Sequence, residues 1–373
     1  MGITCRGRET YSIKITLGRE PVTGKRLYYT ETFKGKEKDA RLREAELKIQ
    51  KRAKRLVLSS AITFRECFSL YSDDVRSRLS LTCFATYEDF IKRYLFPTIG
   101  DKKLKNLEKD DFQKVYNFMG ARGLSPCTIH TLHRAVRVVI LWAVNKGLLS
   151  EDIIESITLP KIPKAQPEFL TYKETQAFFD VAPEYWYGNA LKFQFMTGLR
   201  NQELMALMWS DINFETGEVC ISRACIWVRG FKGFKCTKTG ESRVIELDSP
   251  TLDFLKRVKT AQEEHIQSRK SCGLAYGDER LVFCTRGGLT PHPGAVRDPL
   301  RRILKRIGIT RRFRWYGIRH THATHLLDTK GASPKMIADR MGHSVQMLFS
   351  RYGHQMQGQQ RNALSQISSH VTL

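Results

Sequence analysis

Polar and apolar residues alternate from Tyr11 to Leu17 (Tyr-Ser-Ile-Lys-Ile-Thr-Leu), the period of a strand with one buried face. Pro21-Val-Thr-Gly-Lys reads as a turn, and Leu27 to Phe33 as a second strand. From Lys36 to Leu58 the residues favour helix, with Ala40, Leu42, Ala45, Leu47 and Ile49 spaced among charges. Between residues 63 and 155 the period is helical throughout. Tyr87, Phe90, Ile91, Tyr94 and Leu95 mark one stripe. Ile129, Leu132, Val136, Val139, Ile140 and Ala143 mark another, behind a start signal of Ser125 as N-cap and Pro126 in the first turn. Such stripes bury a core. The charged faces beside them, with Lys92, Arg93, Lys102, Lys103, Arg134 and Arg137, are candidates for phosphate contact. Pro160, Pro163 and Pro167 stiffen an extended linker over residues 156–169. Thr171 with Glu174 three residues on opens a last region. It reads as two helices, strands from about Gly217 to Leu247, and helices to the end.

The pattern predicts a multidomain α+β chain. Residues 1–60 form a small β-sheet plus helix, residues 63–158 an all-helical domain, and residues 169–373 a mainly helical domain with a small antiparallel sheet and a C-terminal tail. At 373 residues, two or three cores are expected. Charge sharpens the picture. The formal net charge is +24, and residues 1–60 alone carry 16 Lys and Arg against 7 Asp and Glu. A surplus of this size implies a polyanionic partner, nucleic acid first and an acidic membrane second. A small basic sheet suits a strand face laid in a DNA groove. No run of about 18 apolar residues is present, so no membrane span is expected. The N-terminal segment has no apolar signal region. The nine cysteines form no C-x-x-C pair, so zinc is not expected and a reduced, cytoplasmic setting is.

Two arginines, a lysine, a histidine and a tyrosine then suggest chemistry. Breaking a phosphodiester without a metal takes cations on its nonbridging oxygens, a nucleophile, and a proton donor for the leaving oxygen. Arginine suits the clamp, since its planar fork grips two oxygens and keeps its charge. Arg200 follows the Thr197-Gly198 turn at an expected helix start, with Glu203 placed to buttress it and Leu204, Leu207 and Trp209 to anchor the helix. Arg319 lies in Trp315-Tyr-Gly-Ile-Arg-His. Lys238 is expected to project from a hairpin turning at Thr239-Gly240, where neighbouring arginines would make it a better acid. His343 follows Gly342, the expected end of a helix opened by Ser333-Pro334, and an imidazole there can donate to a phosphate oxygen. Tyr352 comes nine residues later. Its hydroxyl is inert near neutral pH unless a neighbour takes its proton or stabilises its anion.

These segments resemble the tyrosine recombinases, the integrases of phages and transposons. Their pattern is an Arg in T-G-L-R, a Lys in T-K-T, a His-x-x-Arg-His block, L-G-H-S, and a Tyr nine residues past that His. Arg200, Lys238, Arg319, His343 and Tyr352 match in order. The match covers residues 170–355. On looser patterns, residues 1–60 look like the AP2-like arm-binding module of such integrases and residues 63–158 like their SAM-like core-binding domain. The resemblance implies a site-specific DNA recombinase of a mobile element, working through a 3′-phosphotyrosine and a Holliday junction. It implies no cofactor or metal, and a homotetramer on double-stranded core and arm sites. It also implies an excisionase or host DNA-bending factor as accessory partners, and a bacterial cytoplasmic, nucleoid-associated setting. The tail after Tyr352, with Leu364, Ile367 and Val371 at near-helical spacing, is expected to dock on a neighbouring protomer.

One position departs from the pattern. Tyr316 stands where the family carries the first His of His-x-x-Arg; a phenol can donate a hydrogen bond but is not cationic near neutral pH. Activity is expected to survive, its pH dependence resting on His343 and Lys238. His320 matches the family's supporting histidine after the arginine. His320, His322 and His325 are expected on different sides of one helix, which argues against a metal. Two other readings share these residues. One is a non-catalytic DNA-binding or architectural protein, with Tyr316 marking lost activity. The other is a strand-relaxing topoisomerase, which would not need the basic N-terminal module.

Overall fold

The computed structural model describes residues 2–7, 9–19, 26–52, 62–163, 168–228, 231–236, 242–329 and 332–352. They form two compact units, 1–163 and 164–373, each described by itself.

The first unit opens with three antiparallel strands in the order β1 (Ile3–Gly7), β2 (Thr10–Arg19), β3 (Arg26–Lys34), followed by α1 (Glu37–Arg52). The alternation read from Tyr11 has the expected consequence. Ile13 and Ile15 point to one face and bury against Leu47 of α1, with Ile3, Tyr29 and Phe33 around them. The other face carries Lys14, whose ammonium sits 4.1 Å from the centre of the Tyr28 ring, and exposed Thr30 and Thr32. β1 was not anticipated, because in a five-residue strand with Thr4, Cys5 and Arg6 exposed there is no period to detect. Leu42 and Ile49 are 63% and 66% exposed, so only Ala40 and Leu47 of the expected stripe are core. The expected end of that helix, 53–58, lies outside the described residues.

Five helices follow: α2 (Phe64–Val75), α3 (Leu81–Tyr94), α4 (Phe96–Ile99), α5 (Lys109–Ala121) and α6 (Pro126–Asn145). Ser125 caps α6 as expected, its hydroxyl accepting from the Thr128 N–H at 3.3 Å. By length and a mean hydropathy of 1.2, α6 is apolar enough to cross a membrane, although His130, His133, Arg134 and Arg137 interrupt it and it is no unbroken apolar run. Its apolar residues already have a partner: the stripe from Ile129 to Ala143 is the centre of a core shared with Phe64, Phe68, Ile91, Phe112 and Tyr116. Several charges suggested for phosphate contact are engaged within the protein. Lys102 is held by Asp111 at 2.7 Å, Lys92 by Glu88 at 2.7 Å, and Arg137 lies 3.6 Å from Asp152. The start of the linker is strapped down, since Gln113 exchanges hydrogen bonds with the Thr158 backbone and His130 donates to the Pro160 carbonyl.

The second unit begins with α7 (Tyr172–Val181), capped by Thr171 and Glu174 as expected, α8 (Gly188–Thr197) and the one-turn α9 (Asn201–Leu204). Strands β4 (Glu218–Ile221), β5 (Arg223–Val228), β6 (Phe231–Cys236) and β7 (Arg243–Glu246) form two antiparallel pairs, β4 with β7 and β5 with β6. Then come α10 (Ser249–Ser271), α11 (Pro293–Arg306), α12 (Gly317–Asp328), α13 (Pro334–Met341) and α14 (Val345–Tyr352). The main core joins α7, α8, the strands, α10 and α11, with Leu191, Phe193, Leu204, Ile221, Leu255 and Ile303 fully or almost fully buried. A second, smaller core joins α12, α13 and α14 through Ala323, Leu327, Ile337, Met341, Leu348 and Tyr352. The hairpin expected around Lys238 and the tail carrying Leu364, Ile367 and Val371 both lie outside the described residues.

Candidate active site

Two glycines turn the chain at the site. Gly198 ends α8 in the left-handed region (φ 67°), and a Cβ there would lie 2.4 Å from the His322 ring. Gly342 ends α13 in the same way (φ 60°). Only glycine takes both the backbone and the space at Gly198 without strain. The turn at Gly198 leaves Arg200 as the N-cap of α9, the helix start read from T-G-L-R.

Glu203 organises that turn. It is buried, and its carboxylate accepts from the Arg200 N–H at 2.9 Å and from Arg200 Nη1 at 2.6 Å. Arg243 on β7 donates to the same carboxylate through both Nη atoms, at 3.0 and 2.7 Å, and through Nε to the Arg340 carbonyl at 3.0 Å. Burial pushes the Glu203 carboxyl up, but the Arg243 and Arg200 contacts outweigh it and hold the group at about 2. The folded value lies below the ordinary one, so this stability is complete above about pH 4.5 and is lost as pH falls toward 2. Glu203→Gln is expected to cost roughly 3 kcal/mol at neutral pH. Urea titrations at several pH values check it: the variant's stability curve should run flatter than wild type between pH 4.5 and 2.

Arg319 is the hub. It is fully buried on α12. Nη1 donates to the Gly198 carbonyl, and Nη2 to the Met341 carbonyl and to His343 Nε2, the last at 3.0 Å. One side chain thus ties the end of α8, the end of α13 and His343 together. Arg200 joins from the other side, donating from Nη2 to the Gly342 carbonyl at 2.6 Å. Burial draws Arg319 down to about 10, so it is still charged at neutral pH.

The contact with Arg319 also fixes the state of His343. A guanidinium only donates, so Nε2 accepts and the proton of the neutral ring is on Nδ1. Nδ1 is buried and has no hydrogen-bond partner among the described residues. Burial, and then Arg319 and Arg200, push the ring down to about 3. Without a bound phosphate the His343 ring is therefore neutral near pH 7.

Tyr352 ends α14 as a fully buried member of the small core, and its hydroxyl is hydrogen-bonded to His320 Nδ1. Burial raises the phenol above its ordinary value, with the Arg319 charge pulling the other way. Tyr316 packs edge-on against the His320 ring at 4.9 Å between centroids. It also lines a cleft of about 1060 Å³ beside Asn201 and Gln202, walled by Arg297, Arg301, Arg312 and Arg314.

The three histidines of α12 have separate tasks. His322 donates from Nδ1 to the Phe195 carbonyl and accepts from Arg340 at Nε2. His325 donates to the Leu170 carbonyl and stacks on Tyr172 at 4.0 Å. Only His320 faces Tyr352. Among the described residues, no His, Cys, Asp and Glu group has a metal-binding arrangement. His322 and His325 in fact share a side, because they are three residues apart, where the sequence reading set all three on different sides.

Arg200, Glu203, Tyr316, Arg319, His320, His343 and Tyr352 are thus gathered in one place. Lys238 lies outside the described residues. Sequence reasoning passed over Gln194, Arg243 and Arg340. Gln194 holds the T-G-L-R turn from below, donating to the Leu199 carbonyl and to Asn201 and accepting from the Trp315 ring N–H at 2.7 Å. Its signal was there to be read, a polar residue flanked directly by Phe193 and Phe195. Arg243 and Arg340 carry no such mark among so many basic residues.

A profile of the phage integrase family matches residues 168–358, and one of the phage integrase N-terminal SAM-like domain matches residues 63–120. The chain belongs to the phage integrase family. It is a tyrosine recombinase, of the class that cleaves and rejoins DNA. A XerC-like tyrosine recombinase of Caldanaerobacter subterraneus is 26% identical over 358 residues, covering 89% of each chain. The ICEBs1 integrase of Bacillus subtilis is 23% identical over 73% of this chain and 74% of its own. The fold resembles that of the Tn1549 transposon integrase bound to circular intermediate DNA, with a TM-score of 0.68 at 18% identity, over 82% of this chain and all of the other. It also resembles a lambda integrase tetramer bound to a Holliday junction, with a TM-score of 0.60 at 17% identity, over 93% and 94% of the two chains.

Proposed function

We propose that this integrase moves a mobile genetic element into and out of DNA, with Tyr352 as nucleophile. The observation that carries the residue assignment is the convergence on Arg319. One buried guanidinium joins the turn before Arg200, the turn before His343 and, through the next residue His320, the Tyr352 hydroxyl. Arg200 and Arg319 supply the positive charge that a phosphorane-like transition state needs, with His343 hydrogen-bonded to Arg319 beside them. Tyr352 Oη attacks the scissile phosphorus. The bond to the 5′-oxygen breaks, leaving a 3′-phosphotyrosine and a 5′-hydroxyl that takes its proton from Lys238. A 5′-hydroxyl from the partner duplex reverses the step. Bond energy is kept in the phosphotyrosine, so no external energy source enters.

On this reading residues 1–60 hold distal arm sites, residues 63–158 and 169–373 clamp the core site, and four copies act around two duplexes in the cytoplasm. The tail carries contacts between copies, and an excisionase or host bending factor sets direction. The test is a nicked duplex carrying the element's attachment site, incubated with the protein in EDTA and resolved on a denaturing gel. A covalent adduct whose peptide maps to Tyr352 is the expected result. A specific band shift with no adduct would point to a DNA-binding factor instead.

A further inference from the structure

We infer that His320 is a catalytic residue, the proton acceptor for the Tyr352 hydroxyl, taking in this chain the place left by Tyr316. The inference rests on the function proposed above and deepens it. Its geometric basis is the hydrogen bond between His320 Nδ1 and Tyr352 Oη, with the two rings 5.5 Å apart and edge-on. His320 is the one side chain recorded as hydrogen-bonded to that hydroxyl among the described residues. The direction of the bond follows from satisfaction. If Nδ1–H donated, the buried phenol hydrogen would have no recorded acceptor; with O–H donating, both groups are paired. Tyr316 lies edge-on to the same imidazole, 4.9 Å between centroids. A phenol there packs the ring against movement without competing for the tyrosine proton.

The charges around His320 explain why the base is inactive without substrate. It is faced by Tyr352 and Arg351 from α14, by Tyr316 at the start of α12, and by Arg319 on its own helix. Burial, then Arg351 and Arg319, push it down to about 4, so it is neutral and weakly basic. A phosphodiester seated against the arginines adds a negative charge to this cluster. That charge offsets the guanidinium repulsion and stabilises the imidazolium formed when the proton arrives. The proton passes from Tyr352 Oη to His320 Nδ1 as the Oη–P bond forms and the P–O5′ bond breaks. The leaving oxygen is protonated by the acid already assigned. In the reverse step His320 returns the proton to Tyr352.

The experiment is single-turnover cleavage of the nicked attachment-site duplex over roughly pH 6 to 9, with wild type, His320→Ala, His320→Asn and Tyr352→Phe. Asparagine keeps a hydrogen-bond acceptor near the position of Nδ1 but takes no proton. Thermal melting and DNA affinity of each variant are measured alongside. The expected wild-type rate levels off by about neutral pH, while both His320 variants lose about 10²- to 10³-fold at neutral pH and gain about tenfold per pH unit as hydroxide substitutes for the base. Added imidazole restores part of the His320→Ala rate and none of the Tyr352→Phe rate. Full activity of His320→Asn, or a His320→Ala loss that is the same at every pH and unmoved by imidazole, would overturn proton transfer. A wild-type protein that forms no adduct overturns both readings, whereas a normal wild-type adduct with His320→Ala unchanged overturns this one alone.

Discussion

Tyr352→Phe is expected to abolish covalent strand transfer, with a loss of at least ~10⁴-fold in adduct formation, while binding attachment-site DNA within about twofold of wild type. The asymmetry follows from where the hydroxyl sits. The ring is fully buried among Leu327, Ile337, Met341 and Leu348, and phenylalanine fills the same space. Only the bond to His320 is lost, so stability should fall by about 1 kcal/mol. A larger change, Tyr352→Ala, would empty part of the small core and confuse loss of chemistry with loss of α14, which is why the conservative variant decides. Two measurements check it: adduct yield on a denaturing gel, and a filter-binding or band-shift titration. A phenylalanine variant that still formed adduct would move the nucleophile to another residue. One that lost DNA binding in proportion would make Tyr352 a structural core residue and nothing more.

How much of this was legible in the sequence depended on whether the cause was local. Helix starts were, because Ser125-Pro126, Thr171 with Glu174 and Ser333-Pro334 satisfy end groups using residues within one turn. The turns at Gly198 and Gly342 were legible for the same reason. Strand β1 was not, since its pairing with β2 comes from the sheet rather than from any pattern within Ile3–Gly7. In the site, the residues with short motifs around them came together in the folded chain, Lys238 aside, which lies outside the described residues. The side chains that hold those motifs in place did not announce themselves: Arg243 reaches Glu203 across 40 residues and Arg340 reaches the Met196 carbonyl across 144. The charge environment of His343 was not legible, because burial and four surrounding arginines set it, and neither is visible from a Gly-His-Ser turn. His320 was read as a supporting residue for Arg319, whereas its ring faces Tyr352 across 32 residues of sequence.

Arg319→Lys is the second change with a large expected effect, and it separates charge from geometry. Lysine keeps a positive charge but has one donor centre on a flexible stem, whereas Arg319 spreads donors to Gly198, Met341 and His343 at once. Any two of these contacts leave a third buried acceptor unpaired, and the ammonium, more strongly hydrated than a guanidinium, resists the same fully buried position. A stability loss of about 3–5 kcal/mol is expected, concentrated where α12 meets the ends of α8 and α13. Cleavage should fall by about 10³-fold beyond any loss of folded protein, because His343 loses the partner that fixes its proton on Nδ1. Thermal melting gives the first number, and single-turnover adduct formation at a temperature where the variant is folded gives the second. Hydrogen exchange adds a direct check: the amides of Gly198, Gly342 and His343 should lose protection together if one side chain joins these turns. If the lysine variant cleaves within about threefold of wild type, charge alone suffices at this position and the bridging role assigned to Arg319 is wrong.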